Sequence, residues 1–124
     1  MDAGTCTIIG RAFYLCRSIT ELNFPTNWNL TGVGNSSYSL TSIFSNCHSL
    51  QKITGITNWD LRGVTGQSAD SMFAECWSLK TLDISGWKIN ATNYANMFIR
   101  CFSLENINIS GFDFSNCTSV GSMF

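Results

Sequence analysis

Cys47 and His48 place a thiol beside an imidazole, the one pair of residue types here suited to nucleophilic chemistry. A base activates a nucleophile only when the two side chains meet at hydrogen-bond distance and a third group orients the base. Neighbours in sequence rarely face each other, and no acid accompanies this pair, so no catalytic residues are expected. His48 is the only histidine and no Cys-x-x-Cys occurs, which leaves no metal-ligand set. No phosphate loop, paired-carboxylate site or nucleophile elbow is present, so neither a cofactor nor enzymatic activity is expected.

The cysteines have a different pattern. Cys16, Cys47, Cys76 and Cys101 each stand three residues after a phenylalanine. The simplest account is a column of small buried thiols, because free Cys packs as a small hydrophobe. Disulfide stapling between neighbouring copies is the alternative: stacked strands lie roughly 4.8 Å apart, and a disulfide tolerates Cα separations of about 4.4–6.8 Å. Cys6 and Cys117 fall outside this phase, and Cys117 is expected in the core.

These cysteines belong to a repeat. Phe13, Phe44, Phe73, Phe98 and Phe124 are separated by 31, 29, 25 and 26 residues. The clearest copy begins Ser71-Met72-Phe73-Ala74-Glu75-Cys76-Trp77-Ser78-Leu79 and continues Lys80-Thr81-Leu82-Asp83-Ile84-Ser85-Gly86-Trp87. A period in this range indicates a solenoid or array. Phe73, Cys76 and Leu79 are three apart, which suits one or two turns of helix or 3₁₀-helix with one buried stripe. Leu82 and Ile84 then alternate with Thr81, Asp83 and Ser85, a short strand with one face inward. Ser85-Gly86 is a turn signal, and Trp87 follows as a bulky anchor. One copy cannot bury its own apolar face, so stability is a nearest-neighbour property of stacked copies.

The outward row of the strands is Glu21, Asn23, Lys52, Thr54, Thr81, Asp83, Asn106 and Asn108. It is the candidate partner-binding face, set against the plain alternative of a solvated sheet face. Charges of both signs are scattered along it, so no charge-selected ligand is implied. His48 shares an outward slot with Arg17, Trp77 and Phe102 that varies from copy to copy. Trp28, Trp59, Trp87 and Phe112 share another phase and are expected as a core or corner column, although an aromatic column can also stack on sugars. Asn-x-Ser/Thr sequons occur at Asn29, Asn35, Asn90, Asn108 and Asn116. A glycan on Asn108 would cover the proposed face.

Composition narrows the class further. Hydrophobic residues make up 44% of the 124, enough for a core, whereas charged residues are only 12%, about half the usual share. Ser, Thr and Asn supply the polarity instead. A net charge of −1 and a pI near 5.6 argue against a nucleic-acid footprint. No apolar run approaches the length of a membrane span, so no membrane insertion is expected of this segment. Residues 27–38 and 63–70 read as loops inserted into the two longest copies. The sequence opens and closes inside a repeat, so a segment of a longer solenoid is expected; apolar ends covered by another molecule are the alternative.

Ile9-Gly10-Arg11-Ala12-Phe13-Tyr14-Leu15-Cys16-Arg17-Ser18-Ile19-Thr20-Glu21-Leu22-Asn23-Phe24-Pro25 resembles the BspA-type leucine-rich repeat. Trp59-Asp60-Leu61-Arg62-Gly63-Val64-Thr65 and Phe112-Asp113-Phe114-Ser115-Asn116 are similar to the middle section of the sister repeat of mycoplasma-type lipoproteins. The resemblance covers nearly the whole chain. It implies a leucine-rich-repeat-like solenoid in a secreted or surface-exposed protein, in a group associated with adhesion and partner binding. It brings no catalytic residues.

The expected architecture is therefore a single α/β repeat domain over 1–124, a right-handed solenoid of four to five coils. A parallel β-sheet lies on one side and short helical or 3₁₀ turns on another. The expected function is non-enzymatic, an extracellular or cell-surface module binding a protein or glycan partner. The competing expectation is a structural subunit that stacks on itself end to end, since a heterologous contact that does not close makes a filament.

Overall fold

The computed structural model describes residues 8–26, 28, 30–33, 39–61 and 68–124. Cys6, the sequons at Asn29 and Asn35, and most of the two expected loops lie outside the described residues.

Each of the four repeat copies contributes one three-residue strand: β1 Glu21–Asn23, β2 Lys52–Thr54, β3 Thr81–Asp83 and β4 Asn106–Asn108. All pair in parallel. Glu21, Leu22 and Asn23 lie opposite Lys52, Ile53 and Thr54, and Thr81, Leu82 and Asp83 lie opposite Asn106, Ile107 and Asn108. Equivalent residues of successive copies are thus in register. The described strands form two two-stranded sheets, β1-β2 and β3-β4, where the sequence suggests one continuous sheet. Ser68, Asn93 and Ser119 add isolated parallel bridges.

No helix occurs among the described residues; the Phe-x-x-Cys segments are runs of turns. The backbone shows why. Positive φ recurs two residues before and two after the repeat phenylalanine, at Arg11 and Leu15, Ser42 and Asn46, Ser71 and Glu75, Asn96 and Arg100, and again at Ser122. A left-handed conformation costs a non-glycine residue roughly 1–2 kcal/mol, so something must offset it. Within a copy, turns close from Cys16 N–H to the Phe13 carbonyl at 3.2 Å and from Cys76 N–H to the Phe73 carbonyl at 3.2 Å. The residue at the third position, Leu15 or Glu75, has the positive φ that a type II turn requires.

The flipped residues turn their own N–H groups out of the copy and onto the next. Leu15 donates to the Ser45 carbonyl at 3.0 Å, Asn46 to Ala74 at 2.8 Å and Glu75 to Ile99 at 2.8 Å. The phenylalanines do the same: Phe13 donates to Ile43 at 2.9 Å, Phe44 to Met72 at 2.9 Å, Phe73 to Met97 at 2.9 Å and Phe98 to Met123 at 2.7 Å. A helix would keep these bonds inside one segment. Here they tie each copy to its successor.

The phenylalanine rings follow the backbone. Phe13, Phe44, Phe73, Phe98 and Phe124 form one continuous file with centroid steps of 5.5, 5.2, 5.7 and 5.4 Å. A second column holds Trp28, Trp59 and Trp87, at 5.4 and 5.6 Å. Phe112, assigned to that column by its spacing, has its ring 5.5 Å from Tyr94. The two columns touch, Phe44 to Trp59 at 6.4 Å and Phe73 to Trp87 at 6.2 Å, and Leu50, Leu79, Ile56, Ile84, Cys47 and Cys76 belong to the same buried core. Glycines let the copies approach: a Cβ on Gly111 would overlap the Ser85 carbonyl, and one on Gly86 the Thr57 carbonyl.

Candidate functional site

Strand alternation decides which side chains reach solvent. Leu22, Ile53, Leu82 and Ile107 turn inward and pack on the core. Glu21, Asn23, Lys52, Thr81, Asp83, Asn106 and Asn108 are exposed, and Thr54 is half-buried. The pairing brings the row together in two groups. Glu21 lies beside Lys52 and Asn23 beside Thr54 on β1-β2. Thr81 lies beside Asn106 and Asp83 beside Asn108 on β3-β4.

The two halves differ in chemistry. On β1-β2 the Thr54 hydroxyl donates to Asn23 Oδ1 at 2.5 Å, so these two groups satisfy each other. On β3-β4 the side chains turn back onto the following turn instead. Asp83 Oδ1 accepts from the Ser85 N–H at 3.0 Å, and Asn108 Oδ1 from the Ser110 N–H at 3.2 Å. The Ser85 hydroxyl and N–H hold the Asp83 carboxyl below its ordinary value. Between β3 and β4 lies an open recess of about 450 Å³ lined by Thr81, Leu82, Asp83, Asn106, Ile107 and Asn108.

The slot four residues ahead of each strand carries planar side chains that the spacing left without a role. The His48 ring stacks on Trp77 at 3.6 Å and 4°, and Phe102 follows at 6.4 Å. Trp77 is 40% and Phe102 74% exposed, whereas Phe44, Phe73, Phe98, Trp59 and Trp87 are buried. Glu75 stands beside this row, 3.0 Å from Arg100 Nη1 and 3.8 Å from His48 Nε2. The available signal was the return of a planar residue, Arg17, His48, Trp77 and Phe102, in one slot of four copies.

The other candidates are accounted for within the fold. Cys47 directs its thiol to the Phe13 carbonyl at 3.1 Å while the His48 ring lies on Trp77, so the two do not face each other. Cys16, Cys47, Cys76, Cys101 and Cys117 are free thiols, and no group of three or more His, Cys, Asp or Glu among the described residues could hold a metal ion. Asn90 donates to Asp113 Oδ2 at 2.6 Å and to Ser115 Oγ at 3.2 Å; Asn116 is exposed. Among the described residues no helix is long and apolar enough to cross a membrane.

No curated protein and no solved structure matches the chain. One family profile does, over residues 7–124, and its description is a Mycoplasma protein of unknown function, DUF285. A match of that extent takes in every repeat copy described above, and the chain belongs to the DUF285 family.

Proposed function

We propose that this chain is a leucine-rich-repeat-like, right-handed solenoid of the BspA type, and that it acts as a non-enzymatic binding module of a secreted or cell-surface protein. Its partner is a protein or a glycan, met by the outward row of the strands. One observation carries this proposal: equivalent outward residues of paired copies stand side by side in register, so the row gathers into two polar patches, on β1-β2 and on β3-β4, rather than scattered positions. Leucine-rich solenoids commonly use that surface for partners. The uniform neighbour-to-neighbour bonding of the copies supports the solenoid part.

The test is capture of the chain by a panel of immobilised purified glycoproteins. The triple variant Lys52→Ala, Asp83→Ala, Asn106→Ala alters three exposed side chains. It should melt like the parent and lose capture at least tenfold. Capture unchanged in that variant removes the outward row from the function.

A further inference from the structure

We propose that His48 is a proton-operated clasp: its imidazolium joins Glu75 and Arg100 in a charge triad that ties three successive copies together.

Position is the first argument. His48, Glu75 and Arg100 belong to the copies built on Phe44, Phe73 and Phe98. Glu75 stands between the other two. Its Oε1 accepts from Arg100 Nη1 at 3.0 Å, and its Oε2 lies 3.8 Å from His48 Nε2. The first contact is a formed hydrogen bond, whereas the second is just beyond hydrogen-bond reach. One carboxylate oxygen is thus engaged and the other faces the imidazole.

The imidazole itself is the second. His48 Nε2 is buried and has no hydrogen-bond partner among the described residues. Such orphans are rare in folded chains and call for a physical account. Protonation supplies one. It places a hydrogen on both ring nitrogens, so that Nε2 presents a donor to the Glu75 carboxylate. The flat side of the ring adds a further attraction. It lies on Trp77 at 3.6 Å and 4°, and a cation over an indole is drawn to its π-electrons. Burial opposes a charge on the ring, so the clasp depends on these two attractions.

Rigidity is the third. The Glu75 N–H donates to the Ile99 carbonyl at 2.8 Å, and the preceding Ala74 carbonyl accepts from the Asn46 N–H at 2.8 Å. The carboxylate is therefore carried by backbone fixed to the copies on both sides. Ser78 Oγ donates to the His48 carbonyl at 2.8 Å, which holds the base of the imidazole to the same copy. Two other groups stand close in sequence or slot. Arg17, in the corresponding slot of the first copy, is exposed, and Cys47 directs its thiol away, to the Phe13 carbonyl.

Histidine is the side chain whose ordinary charge change falls between pH 5 and 8, a range in which carboxylates are mostly ionised. The attraction is present at the acid end of that range and lost as pH rises through it. The clasp thereby links the cohesion of three copies to the acidity of the surroundings.

The experiment is a double-mutant cycle on the whole chain. Urea midpoints and slopes are measured for the parent, His48→Gln, Glu75→Gln and the double variant, at pH 5.5 and at pH 8. At pH 8 the two losses should add. At pH 5.5 they should fail to add, by about threefold or more in the unfolding equilibrium constant. His48 is the only histidine, so its C2-proton resonance reports the charge of the ring in the folded parent, and it should move between the two pH values. Additive losses at both pH values, the same coupling at both, or a resonance that stays in place overturns the clasp.

Discussion

The Cys76 thiol donates to the carbonyl of Phe44, one copy earlier, at 3.2 Å. The same carbonyl accepts the N–H of Cys47 at 3.3 Å, so both of its lone pairs are used. The arrangement recurs: Cys47 donates to Phe13 at 3.1 Å and Cys101 to Phe73 at 3.1 Å. Each thiol therefore completes the bonding of a carbonyl that its own copy satisfies only once.

Cys76→Ala removes that donor from a fully buried site and leaves a small void. It should destabilise the fold by about 1–3 kcal/mol, read as a lower urea midpoint with unchanged slope. Cys76→Ser keeps a donor and should lie between the two. Equal stability of the alanine variant and the parent would show that the thiol bond contributes nothing.

Burial keeps these thiols protonated. It pushes Cys47 from 9.0 up to about 11 and Cys101 likewise to about 11, and it raises Cys76 too. In the unfolded chain thiols ionise first, so the folded state binds more protons between those values. Stability contributed by the neutral thiols is complete below pH 9 and declines as pH rises through about 11. Urea midpoints between pH 7 and 11 should fall above pH 9, and less so in Cys47→Ala.

The phenylalanine file grades the copies. Phe73 is fully buried between Phe44 and Phe98, whereas Phe13 is only half-buried. Phe73→Ala should cost about 3–5 kcal/mol, and Phe13→Ala distinctly less. Thermal denaturation of the two variants checks the order, and a reversal would contradict the stacking.

Trp87 and Trp59 stack at 5.6 Å and 3°, but only one has a bonded indole. Trp87 Nε1 donates to the Ile56 carbonyl at 2.6 Å, while Trp59 Nε1 is buried without a partner among the described residues. Replacement by phenylalanine should therefore cost more at Trp87, by about 1 kcal/mol, measured by chemical denaturation. Similar losses at both would mean that ring volume alone matters.

The glycines between copies are fixed by contact. In Gly86→Ala the new Cβ meets the Thr57 carbonyl, a backbone atom that cannot move without shifting its copy. A loss of about 1–3 kcal/mol follows from overpacking of this kind. Gly121→Ala, with nothing near its Cβ, is the control and should melt within a degree or two of the parent.

Several of these features are legible in the residues. The recurrence of Phe13, Phe44, Phe73 and Phe98 points to their ring file, and the alternation of Thr81, Leu82 and Asp83 identifies which side chains face out. The turns are not legible. A spacing of three from Phe73 to Cys76 to Leu79 fits a 3₁₀ helix and a succession of separate turns equally, since both bring every third residue inward. Nor are Arg11, Leu15, Glu75 and Arg100 residue types that announce positive φ; the bonds to the next copy impose it. The thiol–carbonyl bonds were hidden for the same reason, because each partner comes from another copy. Trp77 and Phe102 were recognisable as outward, but their exposure depends on the packing of neighbouring copies.

The bonds from copy to copy also have a direction. The peptide group ahead of Phe13 donates to that ahead of Phe44, which donates to that ahead of Phe73, then Phe98, then Phe124. A parallel string runs from the group ahead of Arg11 through those ahead of Ser42, Ser71 and Asn96. Aligned peptide dipoles of about 3.5 D each add, as in an α-helix, and neighbours in such a string polarise one another. Here every N–H in these strings points toward the higher-numbered copy, so the positive pole lies on that side, the reverse of an α-helix. Each added repeat lengthens the strings and enlarges the molecule's electric moment, a quantity that birefringence in a pulsed field would report.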